Sequence, residues 1–415
     1  MQTGNNKGFI GLFVFLAAAA LVLALAFRPT RVDKWEATRK RIDQLQVETM
    51  SRKLPRSALR GKLGAGNAWE EYNLALNDVV PWDDDPNGSF LARFLSGDPK
   101  VDRVKVDRLI ADHKQVLDHL RLGAQRSDGQ YPYNWQRGRQ MALPSLMRIR
   151  RLANLAVAQA KVTAEAGRPQ DAADLLLDVS AFARDVSTNA PLLSNLIGSA
   201  VYSITFDEFR DLILSGKLTN KQLADLAKKL ETVDHDFPTL SFAFSNETLS
   251  SNLTLLEMSD GGLLGLGARL QEGGWGFALD PHSVMTQAFE LKNAYMQRAQ
   301  KFDQMSFAAA KREADAISAQ AEASMNTLVR ISMPSLPKMI VAHREPLAHL
   351  RLVRAGTTYL ATGEIPTLAD PFGDKLLYEQ ENGKLKIWSI GRDGTNQNGT
   401  GNWAGRPDMV IEISK

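Results

Sequence analysis

The pattern of apolar and polar positions divides the chain into three regimes. From Phe9 to Phe27 the residues are apolar and carry no charge. At 1.5 Å per residue, about 19 such residues in a helix cross a hydrocarbon core of roughly 30 Å. This predicts a transmembrane anchor over 9–27 behind a short tail, 1–8. From 101 to 363 apolar residues recur at spacings of three and four, which is the period of an amphipathic helix. After Asp370 the period falls to two, which predicts strands. The expected fold class is therefore mainly α: an N-terminal transmembrane helix, a multi-helix body over 101–363, and a small antiparallel β unit over 364–415.

Within the body the clearest stripe is Ala172, Leu175, Leu176, Val179, Phe182, Ala183 and Val186. Pro169 stands near the start of that helix, where its missing N–H costs least. Leu146, Ile149, Ala153, Ala156 and Ala160 mark the preceding helix, closed by Gly167. Together 155–167 and 169–177 resemble one helix-turn-helix of the tetratricopeptide type, with alanines where the helices touch. Ala190–Phe206 has no charge, but Ser194, Asn195, Ser199, Ser203 and Thr205 predict a buried core helix rather than a second span. Residues 283–333 read as one long, alanine-rich helical pattern. Pro334, Pro337 and Pro346 then punctuate the chain, and a last helix is expected over 347–362, ended by Gly363 and Pro366.

Residues 28–100 read as a juxtamembrane stalk and loop. Ile42, Leu45 and Met50 give a short helical pattern among basic residues, suited to anionic headgroups or to a solvated linker. Asp83, Asp84 and Asp85 lie in turn chemistry between Pro81 and Pro86. Neighbouring side chains of an extended segment point to opposite sides, so a solvated loop is favoured over a cation site. The glycines of 258–282 lack the spacing of a dinucleotide or phosphate loop and predict an apolar loop for a partner or membrane.

Composition narrows the chemistry. There are no cysteines, so disulfides, thiolate nucleophiles and zinc–thiolate sites are excluded. A net charge of +3 over 415 residues gives no nucleic-acid signature. None of the six histidines pairs at helical spacing with another. Ser335 and Lys338 match Ser-x-x-Lys without the companion motifs of penicillin-recognising enzymes. Between Gly129 and Ala164 there is no acid, while Arg137, Arg139, Arg148, Arg150, Arg151 and Lys161 follow Tyr131, Tyr133 and Trp135. Such a stretch suits an anionic polymer. Equally it suits a helix whose arginines pair with acids elsewhere, and that reading is preferred.

At the C-terminus, 375–380 and 384–390 read as strands joined by Asn382-Gly383, the pair that a type I′ hairpin turn demands. Residues 408–413 form a third strand, with Met409, Ile411 and Ile413 on one face. Asp370-Pro371-Phe372-Gly373, Tyr378, Ser389-Ile390-Gly391-Arg392-Asp393-Gly394 and Asp408 resemble, in order and spacing, the end of the major pseudopilins of type II secretion. Lys7-Gly8-Phe9 is similar to the processing site of the wider prepilin class, with Phe13 where that class usually has Glu. The resemblance implies calcium in the 391–408 loop, held by Asp393 and Asp408 with Asn396 and Asn398. Calcium requires six to eight hard oxygens. With asparagines where acids are usual, the residues themselves make a turn-rich, self-bonded loop slightly better than a calcium site.

The anchor reads as permanent, ahead of cleavage at Ala24-Leu25-Ala26 or prepilin-type processing. Arg28, Arg31, Lys34, Arg39, Lys40 and Arg41 follow it, and the positive-inside rule alone would hold the body in the cytoplasm. The short tail with Lys7 and the pseudopilin-like end point outward. The expectation is a single-pass inner-membrane protein with an extracytoplasmic body. It would serve as a structural or interaction protein of the envelope, linked to a secretion or pilus-like system. Its partners would be the membrane and another protein, not nucleic acid. It is not expected to be an enzyme. An envelope hydrolase and an anionic-polymer binder are the alternatives.

Overall fold

The computed structural model describes residues 31–52, 65–79, 89–260 and 281–414, apart from 136, 138–140, 142, 382 and 406. The expected anchor at 9–27, the aspartates 83–85, most of the glycine-rich stretch (261–280) and Arg139 lie outside the described residues. Among the described residues no helix is long and apolar enough to cross a membrane. The described helices are α1 (Arg31–Met50), α2 (Ala68–Asp78), α3 (Ser89–Leu95), α4 (Arg103–Asp112), α5 (Lys114–Gln125), α6 (Leu146–Glu165), α7 (Pro169–Ser187), α8 (Leu192–Leu214), α9 (Asn220–His235), α10 (Leu240–Asp260), α11 (Pro281–Ala299), α12 (Phe307–Glu322), α13 (Thr327–Ser332) and α14 (Leu336–Thr362).

The helix-turn-helix read from the alanine stripe is α6–α7. Gly167 takes φ +80 between them, a left-handed turn that favours glycine. Helix α8 packs along α7 so closely that a Cβ on Gly198 would fall 1.9 Å from Ser187 Oγ and 2.7 Å from the Ala183 carbonyl. As expected, Ser194, Asn195, Ser199 and Thr205 are core residues, with Ser203 half-buried, and Thr205 Oγ1 donates to the Val201 carbonyl at 2.7 Å. Helix α2 meets α5 in the same way: a Cβ on Gly123 would lie 2.3 Å from the Tyr72 ring. Trp69, Tyr72 and Phe182 form the aromatic centre, with Tyr72 edge-on to Phe182 at 4.7 Å.

Three expectations about the helices change. First, α1 is no free-standing stalk: Trp35 and Ile42 are buried in the core cluster, against α10 and α11. Second, the pattern at 283–333 is broken into α11, a 3-10 turn (Phe302–Gln304), α12 and α13. Caps make the breaks: Ser306 Oγ accepts the Ala309 N–H, and Asn326 Oδ1 accepts the Leu328 N–H. Third, Pro346 lies inside α14 rather than before it. Helix α14 is the body's central strut, burying Ile340, Ala348, Leu350, Leu352 and Val353. That burial outweighs the roughly 3 kcal/mol that an interior proline costs.

The β unit is a four-stranded sheet in the order β1-β2-β4-β3, where β1 is Leu377–Glu381, β2 Lys384–Ser389, β3 Gly401–Asn402 and β4 Asp408–Ser414. The expected hairpin is present, with Glu381 opposite Lys384 and Gly383 at φ +79. The sheet is mixed rather than antiparallel, because the loop after β2 folds back and lays β3 parallel to β4. Only glycine fits there: a Cβ on Gly401 would lie 2.1 Å from the Asp408 carbonyl oxygen. On the inner face, Ile411 and Ile413 reach Gly356 of α14, which is how the sheet docks on the strut.

Candidate functional site

The four residues with calcium-ligand chemistry are brought into one loop, where the side-chain oxygens of Asp393, Asn396 and Asp408 accept N–H groups. Asp408 is fully buried at the head of β4. Its Oδ2 accepts the Gly399 N–H at 2.8 Å and the Gln397 N–H at 3.1 Å. Asn396 Oδ1 accepts from Trp388 Nε1 at 3.1 Å and from the Asn398 N–H at 2.9 Å. Asp393 Oδ1 accepts the Thr395 N–H at 2.9 Å, and its Oδ2 accepts from Gln397 Nε2 at 2.8 Å. Asn398 holds φ +58, a conformation that short polar side chains tolerate. Among the described residues no three His, Asp or Glu side chains stand placed to hold a metal. These contacts are those of a self-bonded loop.

Asp370 is a second buried hub. Its Oδ1 accepts from Ser389 Oγ at 2.6 Å and from the Phe372 N–H at 3.0 Å, and its Oδ2 accepts the Ile390 N–H at 3.0 Å. Burial pushes both carboxyls up, Asp370 and Asp408, against the pull of these donors. Arg344 of α14 donates to the carbonyls of Pro371 (2.7 Å), Met305 (2.8 Å) and Phe302 (3.0 Å). Asp370, Ser389 and Asp408 are thus the joints of the β unit.

The arginine-rich stretch does not form one face. Arg148 donates to the Leu76 carbonyl at 3.2 Å, Lys161 to the Leu95 carbonyl at 3.3 Å, and Arg137 and Arg150 are exposed. Its aromatics are core wall. Tyr133 and Trp135 are buried, and Tyr131 meets the Trp69 ring edge-on at 4.7 Å. Tyr133 donates its hydroxyl to Ser194 Oγ, and burial raises its pKa.

A large open concavity lies elsewhere, between the α4–α5 pair and the α6–α7 hairpin, with a volume of about 910 Å³. Ile110, Leu117, Val162 and Leu175 give it an apolar floor. Its rims carry Arg103, Asp107, Lys114, Asp118 and Arg121 on one side and Glu165, Arg168 and Asp171 on the other. Arg103 ties the two sides, pairing with Asp107 at 2.8 Å and with Glu165. Arg121 faces Asp178 at 3.8 Å. Asp178, behind the rim, is raised to about 7 by burial, with Arg121 opposing and Asp174 adding to the rise. Outside the groove, Glu71 of α2 is held below the ordinary carboxylate range by hydrogen bonds from Arg126 and His119.

Sequence reasoning missed this groove. Its charges are spread over four helices, so no linear motif announces it. The tetratricopeptide-like hairpin was the available signal, since paired helices present a concave side. No family model, curated protein or solved structure matches the chain.

Proposed function

We propose that the chain is a membrane-anchored interaction protein of the cell envelope, with its body outside the cytoplasm. The groove between α4–α5 and α6–α7 would receive a polypeptide segment of a partner protein. The observation that carries this reading is the groove's make-up: an apolar floor under rims with both signs of charge. Arg103, Lys114, Arg121 and Arg168 stand against Asp107, Asp118, Glu165 and Asp171. A balanced rim suits a chain with mixed charges and gives no attraction to a long polyanion, DNA and RNA included. Several rim charges already satisfy one another, which suits binding rather than catalysis. The apolar run at 9–27 supports the anchor, and the residues of 370–408 support a link to a secretion or pilus-like system.

Two experiments test the reading. C-terminal fusions to alkaline phosphatase and to a fluorescent protein that folds only in the cytoplasm report the side of the body. Phosphatase activity is expected, and fluorescence alone refutes the outward body. Lys114→Glu with Arg168→Glu, both on the rim, should abolish co-purification of a stoichiometric partner with the full chain. An unchanged yield of partner places its site elsewhere.

A further inference from the structure

A smaller pocket of about 300 Å³ lies where α3, α6, α8 and the β-unit loop meet. Two of its side chains have a property that no other feature of the fold explains. Asn154 of α6 is 5% exposed and Glu208 of α8 is 6% exposed. Both line the pocket, and neither side chain hydrogen-bonds another protein group among the described residues, so their head groups are left to whatever fills the pocket. Their neighbours are already satisfied. Asp207 accepts the Trp403 ring N–H, and Asp211 accepts from Arg210 at 2.7 Å. Trp403 is fixed by stacking on His349 at 4.3 Å, and Lys161 is held by the Leu95 carbonyl. At the mouth, Arg150 is exposed, and among the described residues its guanidinium has no partner.

Burial pushes Glu208 up to about 8, with Lys161 opposing and Asp211 and Glu165 adding to the rise. At neutral pH it is therefore mainly the uncharged acid, with one donor and remaining acceptor capacity. Asn154 likewise offers both. A pair of donor–acceptor groups side by side matches hydroxyls, each of which also gives and takes a bond. An unpaired guanidinium matches a carboxylate, which it grips with two parallel bonds. The volume stands at the small end of ligand pockets, which begin at roughly 300 Å³.

We propose that this pocket binds one sugar-sized, hydroxyl-rich molecule bearing a carboxylate, with Arg150 on the carboxylate and Asn154 and Glu208 on hydroxyls. The claim is independent of the partner groove.

Lys161 and Glu165 of α6 and Arg210 and Asp211 of α8 act on the Glu208 carboxyl, and Arg150, Asp207 and Trp403 line the same pocket. The test is calorimetry on the full chain in detergent, with glucuronate and glucose as probes. At about pH 6, where Glu208 holds its proton, glucuronate should saturate one site and glucose should bind at least about tenfold more weakly. Arg150→Gln, at an exposed position, should bring glucuronate down to the level of glucose and leave glucose unchanged. Wild-type affinity should fall as pH passes about 8, and Glu208→Gln, which cannot ionise, should bind without that fall. Thermal melts check that both variants fold. Absence of saturable binding, equal binding of the two sugars, or full glucuronate affinity in Arg150→Gln would each overturn the proposal.

Discussion

Phe182 in the helical body and Asp370 in the β unit are both buried, yet they hold the protein by different physics. Phe182 touches Trp69 and Tyr72 and contributes through area removed from water and close contact. Asp370 touches Ser389, Phe372 and Ile390 and contributes through three charge-assisted bonds. The body is assembled from small residues that let helices approach, as at Gly198 and Gly123. The β unit is too small to bury a comparable core, so two carboxylates, Asp370 and Asp408, fix its loops instead. An apolar core tolerates changes in charge around it, whereas a carboxylate hub depends on every donor it holds.

The largest expected effect is in the body. Phe182→Ala should cost about 4 kcal/mol in urea unfolding, by lost transfer energy and the cavity left behind. A loss below about 1 kcal/mol would mean that the aromatic centre is loosely packed. Next comes the β unit. Asp370→Ala leaves three donors, two of them buried, without an acceptor and should cost about 3 kcal/mol. Hydrogen exchange should quicken in β2 and β4 while α7 stays protected, and uniform quickening would show that the two regions unfold as one.

A smaller effect is in pH dependence. The carboxyl of Asp178 is raised to about 7, so the folded chain keeps a proton that the unfolded chain gives up. Its stabilising share is full below the ordinary carboxylate range and is lost as pH rises through about 7. Asp370 and Asp408 act in the same direction, and Glu71, whose pKa is lowered, acts in the opposite one. Asp178→Asn should flatten the fall in melting temperature between pH ~4 and ~7. A slope unchanged by that substitution would place its origin elsewhere. The smallest effect concerns calcium. Since the loop oxygens already accept N–H groups, millimolar calcium should leave the melting temperature of the full chain where chelator leaves it. A calcium-dependent rise that Asp393→Ala removes would show that the loop opens to bind the ion.

The elements that could be read from the sequence are those whose signals are local. Gly167 and Pro169 mark the turn between α6 and α7, and Asn382-Gly383 marks the hairpin. The alanines of α6 announce a close helix contact. The rest depends on distant chain. Ser306 and Asn326 break a pattern that alanines alone would continue. Pro346 stays within α14 because packing on both sides holds the helix together. The parallel pairing of β3 follows from a loop reversal that Gly401 permits but does not signal. Glu208 lies just beyond the uncharged run 190–206, in the same helix, so a reading that stops at Phe206 misses it. The loop aspartates were visible, but whether their oxygens meet a cation or an amide is decided by backbone that only the fold supplies.

The central claim is that the α4–α7 groove binds a partner's polypeptide. Photo-crosslinking in living cells tests it most directly, with a photoreactive residue in place of Ala111 or Gln159 in the groove and of Tyr378 on exposed β1 as the control. The account predicts one crosslinked protein of defined mass from both groove positions, absent from the control and lost when Lys114→Glu and Arg168→Glu are added. Crosslinks of equal yield from the control, or none from the groove, would contradict it.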